Sequence, residues 1–278
     1  MRFAWHLVLT SSTDGRVDNP ERLWQIIEDY ANRVVGTGNS VELRFTTQPT
    51  LSTQSFLAAV NALALVEDAR NCEREGIDGI MMAASIDPAV EQARSICKIP
   101  VVGSIESALA LTGFIGRKAG IVTISGADTE HAYAQLIEEN ASKYGCRDRL
   151  LAHRPVRPLP LTWKDFYAAY SRAVDGDGDE LLTKFDAVTR EFVNDGADVI
   201  ICGNQLYGAV LDKLGYSFVT AQGAPVIDNA AAGLKMLQVL RSLQQSSGLS
   251  KSEIGPFRAL PEEGVRLASA SLHSIDVR

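Results

Sequence analysis

The sequence predicts an α/β protein built as two pseudosymmetric lobes, each a mainly parallel sheet flanked by helices. Three observations carry this. Short apolar strands alternate along the chain with helical segments of ten or more residues, the spacing that parallel pairing with right-handed crossovers requires. Residues 76–84, GIDGIMMAA, repeat at 196–204 as GADVIICGN, both reading Gly-x-Asp and then an apolar strand. Each copy is followed by a helix, a Pro-Val pair and a second strand end: IPVVGSIESALALTG in the first half and APVIDNAAAGLKML in the second.

Strands are expected at 3–9, 41–45, 79–83, 100–103, 119–124, 198–202 and 225–227. Helices are expected at 20–35, 54–75, 88–96, 105–111, 129–144, 179–195, 205–214 and 229–246. The first strand is an apolar run, FAWHLVL, and the helix signal DNPERLWQIIEDYA follows it closely. There Pro20 suits a first helical turn and Asn19 suits its cap. Asp179 is read as the cap of ELLTKFDAVTREFVNDG, whose apolar residues recur at helical spacing until Gly196 stops them. The proline-rich run HRPVRPLPLTWKD at 153–165 is expected to be irregular. Lobe one is assigned residues 1–104 plus 226–278 and lobe two residues 105–225. Ligands in such sheets bind beyond the carboxyl ends of the strands, so the cleft between the lobes is the expected active site.

With 278 residues, 46% hydrophobic and 22% charged, the chain has enough apolar material for a large core. Its net charge of −7 and the lack of any Lys/Arg block argue against nucleic acid or anionic membranes as partners. No apolar run approaches the roughly 18 residues that span a bilayer. Cys72, Cys97, Cys146 and Cys202 show no Cys-x-x-Cys spacing and no clustered His, so they read as reduced thiols of a cytoplasmic protein. No metal site is expected. The DGDGDE run at 175–180 has Glu180 where a calcium loop needs Gly and Asp186 where it needs Glu, and reads as a solvated turn. No Gly-x-Gly-x-x-Gly follows the first strand, which argues against a dinucleotide site.

The segments DGIMMAASIDPAVEQAR, PVVGSIESAL, GIVTIS, GADVIICGN and PVIDNAAAGLK, in this order, resemble the aspartate/glutamate/hydantoin racemase superfamily, and within it the hydantoin racemase branch. The resemblance covers roughly 3–245 and implies two α/β lobes around a cofactor-free site for a small-molecule substrate, in a homo-oligomer. It also implies one catalytic cysteine per lobe, at the strand end after each Gly-x-Asp. Those positions hold Ala84 and Asn204 here. Glu106 matches a family glutamate at a helix start, and Ser12 and Thr13 match a substrate-holding loop.

Two opposed thiols can racemise a carbon acid because cysteine titrates near neutrality and serves as base or acid. Alanine moves no proton, and an asparagine amide only donates hydrogen bonds to a developing oxyanion. The sequence therefore suggests a cofactor-independent enzyme on a small carboxylate or cyclic amide, of hydrolase or lyase type in preference to a two-cysteine racemase. One alternative is a racemase of hydantoin-like or amino-acid-like substrates using Cys202, two residues before Asn204 on the same strand, with a non-cysteine partner. Another is a non-catalytic binding protein. Candidate catalytic residues are Asn204, Ser85 and Cys202; candidate substrate-binding residues are Ser12, Thr13, Ala84, Thr123, Ser125, Gly203 and Gln205. Asp14, Asp87, His131, Tyr133 and Tyr207 are the titratable groups after strand ends; Asp87 reads as a cap, and His131 and Tyr133 as exposed. His6, inside a strand, is assigned no role.

Overall fold

A computed structural model describes residues 1–8, 19–46, 55–124, 130–261 and 263–267. The first half runs β1 (Arg2–Leu7), α1 (Pro20–Val35), β2 (Ser40–Phe45), α2 (Ser55–Arg74), β3 (Gly79–Ala83), α3 (Val90–Ile96), β4 (Val101–Gly103) and α4 (Ser104–Ile115). The second runs β5 (Ala119–Thr123), α5 (Glu130–Lys143), β6 (Val156–Pro158), α6 (Trp163–Val174), α7 (Asp179–Asn194), β7 (Val199–Cys202), α8 (Tyr207–Lys213), β8 (Val226–Asp228) and α9 (Asn229–Ser247). The strands form two four-stranded sheets ordered β2-β1-β3-β4 and β6-β5-β7-β8, and the named pairs are parallel. The two orders correspond strand for strand, which is the architecture the repeat predicted.

The Gly-x-Asp signature does the same physical work twice. Gly76 (φ +80°) and Gly196 (φ +97°) take the left-handed conformation that ends a helix, where a side chain would be strained. Asp78 then accepts from the backbone N–H of Arg2 at 2.9 Å, at the start of β1. Asp198 accepts from the N–H groups of Arg117 and Lys118, at 2.9 and 2.7 Å, just before β5. Each aspartate thus sets the register between the two central strands of its sheet.

Asn19 accepts from Arg22 N at 3.2 Å with Pro20 opening α1, as expected. Asp179 is the first residue of α7, and Gly178 occupies the cap. The expectation for 153–165 is corrected. Val156–Pro158 pairs with β5 as an edge strand, the place in a sheet where proline is tolerated. Thr162 then caps α6 by accepting from Asp165 N at 3.1 Å. Residues 226–228 are likewise reassigned: β8 pairs with β7, so it belongs to the second sheet and not with residues 1–104.

One apolar cluster joins the halves, running from Phe3, Trp5 and Leu7 through Leu23 and Ile27 of α1 to Tyr170, Phe185 and Tyr207. Helix α9 lies against the first half as well: a Cβ on Gly233 would stand 2.3 Å from Met81 Sδ, so glycine is what lets α9 approach β3. Among the described residues no helix is long and apolar enough to cross a membrane.

Candidate active site

Helices α4 and α9 start directly after β4 and β8, so their first residues mark the carboxyl ends of the two sheets. Those first residues touch: Asn229 Nδ2 donates to Ser104 Oγ at 3.3 Å. The two sets of strand ends therefore converge on one place.

A buried aspartate holds each helix start. Asp228 accepts from Ala230 N (3.3 Å), Ala231 N (2.8 Å) and the Tyr30 hydroxyl (2.8 Å). Asp87 accepts from Ile105 N (3.0 Å), Glu106 N (2.7 Å) and the Tyr144 hydroxyl (3.3 Å). Burial raises both carboxyls; for Asp87 the charge of Glu106 adds to it, the two backbone donors bring it part way back, and it settles at about 7. The cap reading of Asp87 holds. Glu106 sits in the first turn of α4, accepting from Gly103 N at 3.2 Å and pairing with Arg94.

The loop that carries Ala84 and Ser85 is clamped from both halves. Asp87 (φ +42°) and Ala89 (φ +60°) are left-handed without being glycine, a costly conformation kept where surrounding contacts enforce it. Asn140 of α5 donates to Ile86 O at 2.6 Å, and Tyr144 reaches Asp87 from the same helix. Ser85 is buried, and Ala84 packs its methyl among Val8, Leu65 and Ala89.

At the equivalent end of β7, Gly203 N donates to Val122 O at 2.7 Å. A Cβ on Gly203 would lie 2.6 Å from Ile121 Cγ2 and 2.9 Å from Val122 O, so this glycine has a packing reason of its own. Asn204 and Gln205 are buried, and Asn204 Oδ1 accepts from Leu206 N at 2.9 Å. Thr123 is buried; its carbonyl accepts from the Tyr207 hydroxyl at 3.1 Å, while its own Oγ1 has no hydrogen-bond partner. Ser12, Thr13 and Ser125 lie outside the described residues, as do Asp14 and the side chain of His131.

Cys202 does not suit the role of a proton carrier. It is fully buried, and burial together with the Asp228 charge holds its thiol well above the usual range, so it keeps its proton at neutral pH. Tyr207 is similarly buried and its hydroxyl pushed well up. Tyr133, expected to be exposed, is buried. Sequence reading missed Tyr30, Asn140, Tyr144, Asp228 and Asn229. The string Asp-Asn-Ala-Ala at 228–231 does carry an N-cap signal for Asp228. The partners reaching across from α1 and α5 have no local signature.

Fold and strand-end geometry define an α/β protein of two parallel sheets whose carboxyl ends meet at one place. The Asp/Glu/Hydantoin racemase family model matches residues 27–237, and the chain belongs to that family. It is 26% identical to a hydantoin racemase of Rhizobium meliloti over 217 residues, 78% of each chain. A second hydantoin racemase, from Pseudomonas sp. (strain NS671), is 26% identical over 188 residues, 68% of each. Among solved structures, an allantoin racemase from Klebsiella pneumoniae shares the fold with a TM-score of 0.73 at 21% identity, covering 94% of both chains. These findings correct the preference for a hydrolase or lyase: the family and the relatives are racemases. That preference rested on Ala84 and Asn204 alone, and the absence of a thiol from two positions does not specify another reaction.

Proposed function

We propose that the protein is a cofactor-independent racemase that inverts a carbon next to a carbonyl in a hydantoin-like cyclic amide. The hydantoin racemases that match it over 78% and 68% of its length are the observation that carries this reading. Inversion needs a base to take the proton from one face of such a carbon and an acid to return one to the other; in between, negative charge sits on the neighbouring carbonyl oxygen, where a buried donor that is already oriented stabilises it. Asn204 fits this role. Its Oδ1 is occupied by Leu206 N, which leaves the amide NH2 to donate to the developing oxyanion. Ser85, Thr123 and Gln205, on the same layer of strand ends, line the proposed site with neutral polar groups. Ala84 and Gly203 keep the strand ends compact. Under the same proposal the lobes divide as residues 1–103 with α9 and residues 104–228, and the protein is a cytoplasmic homo-oligomer.

The test is incubation of enantiopure 5-benzylhydantoin with the full chain in deuterated buffer. Circular dichroism follows the loss of optical activity and proton NMR the loss of the C5–H signal. Both should proceed together and faster than with heat-denatured protein, and Asn204→Ala should lower kcat by about a hundredfold. Rates equal to the denatured control for this compound and for allantoin would overturn the reading.

A further inference from the structure

Gly248 (φ +72°) ends α9 in the left-handed conformation, and the chain after it folds back over α3. Lys251 Nζ donates to Arg94 O at 2.6 Å, and Gln244 Nε2 donates to Ser250 Oγ at 3.5 Å. The Arg94 guanidinium stands 5.9 Å from the centroid of the Phe257 ring. Residues 249–257 thereby wall a cavity of about 350 Å³ against the end of α3, the amino end of β4 and the last turns of α9. Small-molecule sites occupy roughly 300–1,000 Å³. This wall lies beyond residue 237, where the family match ends. The apolar lining is Ile99, Pro100, Val101, Leu240, Leu249 and Phe257, and Leu249 is left 57% exposed.

We propose that this cavity binds a small carboxylate with an apolar body, its charge held by the Lys98 and Lys251 ammonium groups. The charged residues of the described lining are Arg94, Lys98 and Lys251, with no Asp or Glu among them. Arg94 is committed already: its Nε donates to Val101 O at 2.8 Å and its two terminal nitrogens to Glu106. The lysines are not. Among the described residues the lysines in ion pairs are Lys143 and Lys184, so neither Lys98 nor Lys251 has a carboxylate partner. Lys251 spends one of its three N–H donors on Arg94 O and keeps two. In a chain of net charge −7, a lining with two such cations and no acid selects an anion. A carboxylate accepts charge-assisted hydrogen bonds from both ammonium groups, and an apolar body takes the leucine and phenylalanine surface out of water. Because Arg94 also reaches Glu106 at the start of α4, the test carries a control at the strand ends.

The probe is sodium 3-phenylpropionate, with 3-phenylpropan-1-ol and 3-phenylpropylammonium as neutral and cationic counterparts, titrated into the full chain by calorimetry and by methyl NMR of Leu240 and Leu249. The carboxylate should saturate with Kd of about 1 mM or tighter and shift both leucines' methyl signals, while its counterparts bind at least about tenfold more weakly. Lys251→Met should weaken binding by about tenfold or more. Lys98→Glu, at an exposed position, should do so by repulsion without disturbing the core, and it decides the matter if K251M does not fold. Asn204→Ala should leave Kd unchanged, since the acid does not sit at the strand ends. Absence of saturation to about 20 mM, equal binding of the ammonium, unmoved leucine methyls, an unchanged Kd in K98E or an altered Kd in N204A would each overturn the proposal.

Discussion

Cys202 stands two residues from the seat of interest, on the strand that leads to it, yet the fold has turned its sulfur into core. All four cysteines are buried, and burial raises the Cys72 and Cys97 thiols to about 12. The native protein should therefore show no fast-reacting thiol toward Ellman's reagent. Cys202→Ala should keep kcat/KM on its substrate within about threefold while losing about 1 kcal/mol of stability to the small cavity left behind. A loss of turnover by orders of magnitude in this variant would return the thiol to the mechanism.

Asp87 gives a pH test at the same scale. Its folded-state carboxyl, at about 7, titrates above the value it has in the unfolded chain, so the folded state holds the proton more tightly. Its stabilising contribution is complete below the unfolded value and declines as pH rises from about 4 through about 7, by at most about 1.4 kcal/mol per pH unit. Asp87→Asn removes this titration. The melting temperature of wild type relative to D87N should fall across that interval, and parallel curves would show that Asp87 does not titrate there.

At the level of elements, the strands and helices with a regular apolar period were legible in the sequence, and the repeat predicted two lobes of related build. The stretch at 153–174 was not. Its prolines suggested irregular chain because sequence alone does not reveal that β6 is an edge strand, where a proline costs little. The next signal was readable but passed over: Thr162 followed by Asp165, then Phe166, Tyr167, Tyr170, Ala173 and Val174 at helical spacing. Thr162→Ala should cost about 1 kcal/mol in urea unfolding, the worth of one N-cap, and an unchanged midpoint would mean that α6 is held by packing alone. The candidate site was half legible for a related reason. Strand-end positions such as Ser85, Thr123 and Asn204 follow from the period of the strands. Tyr30 and Tyr144 reach the two capping aspartates from distant helices, across sequence separations of 198 and 57.

For the whole molecule, the lobes are joined by polar bonds as well as by the shared apolar cluster. Tyr30 of α1 donates to Asp228 of the second sheet inside the protein, at 2.8 Å. Tyr30→Phe keeps the ring and removes this bond, so it should lower stability by about 1–2 kcal/mol while leaving a single cooperative urea transition. Two resolved transitions would show that this hydroxyl is what couples the halves.

Helix α9 follows both sheets in the chain, yet it closes the first of them. Gly233 rests on Met81, Arg241 pairs with Asp78 at 2.7 Å, and Gln238 donates to Val35 O at 2.8 Å. During synthesis, residues 1–115 therefore leave the ribosome with one flank of their sheet bare until the segment after β8 emerges. Contacts spanning more than 150 residues form late and slowly. A nascent chain of this design has a long interval of exposure to chaperones, and one halted before Asn229 would leave that flank of the first sheet bare.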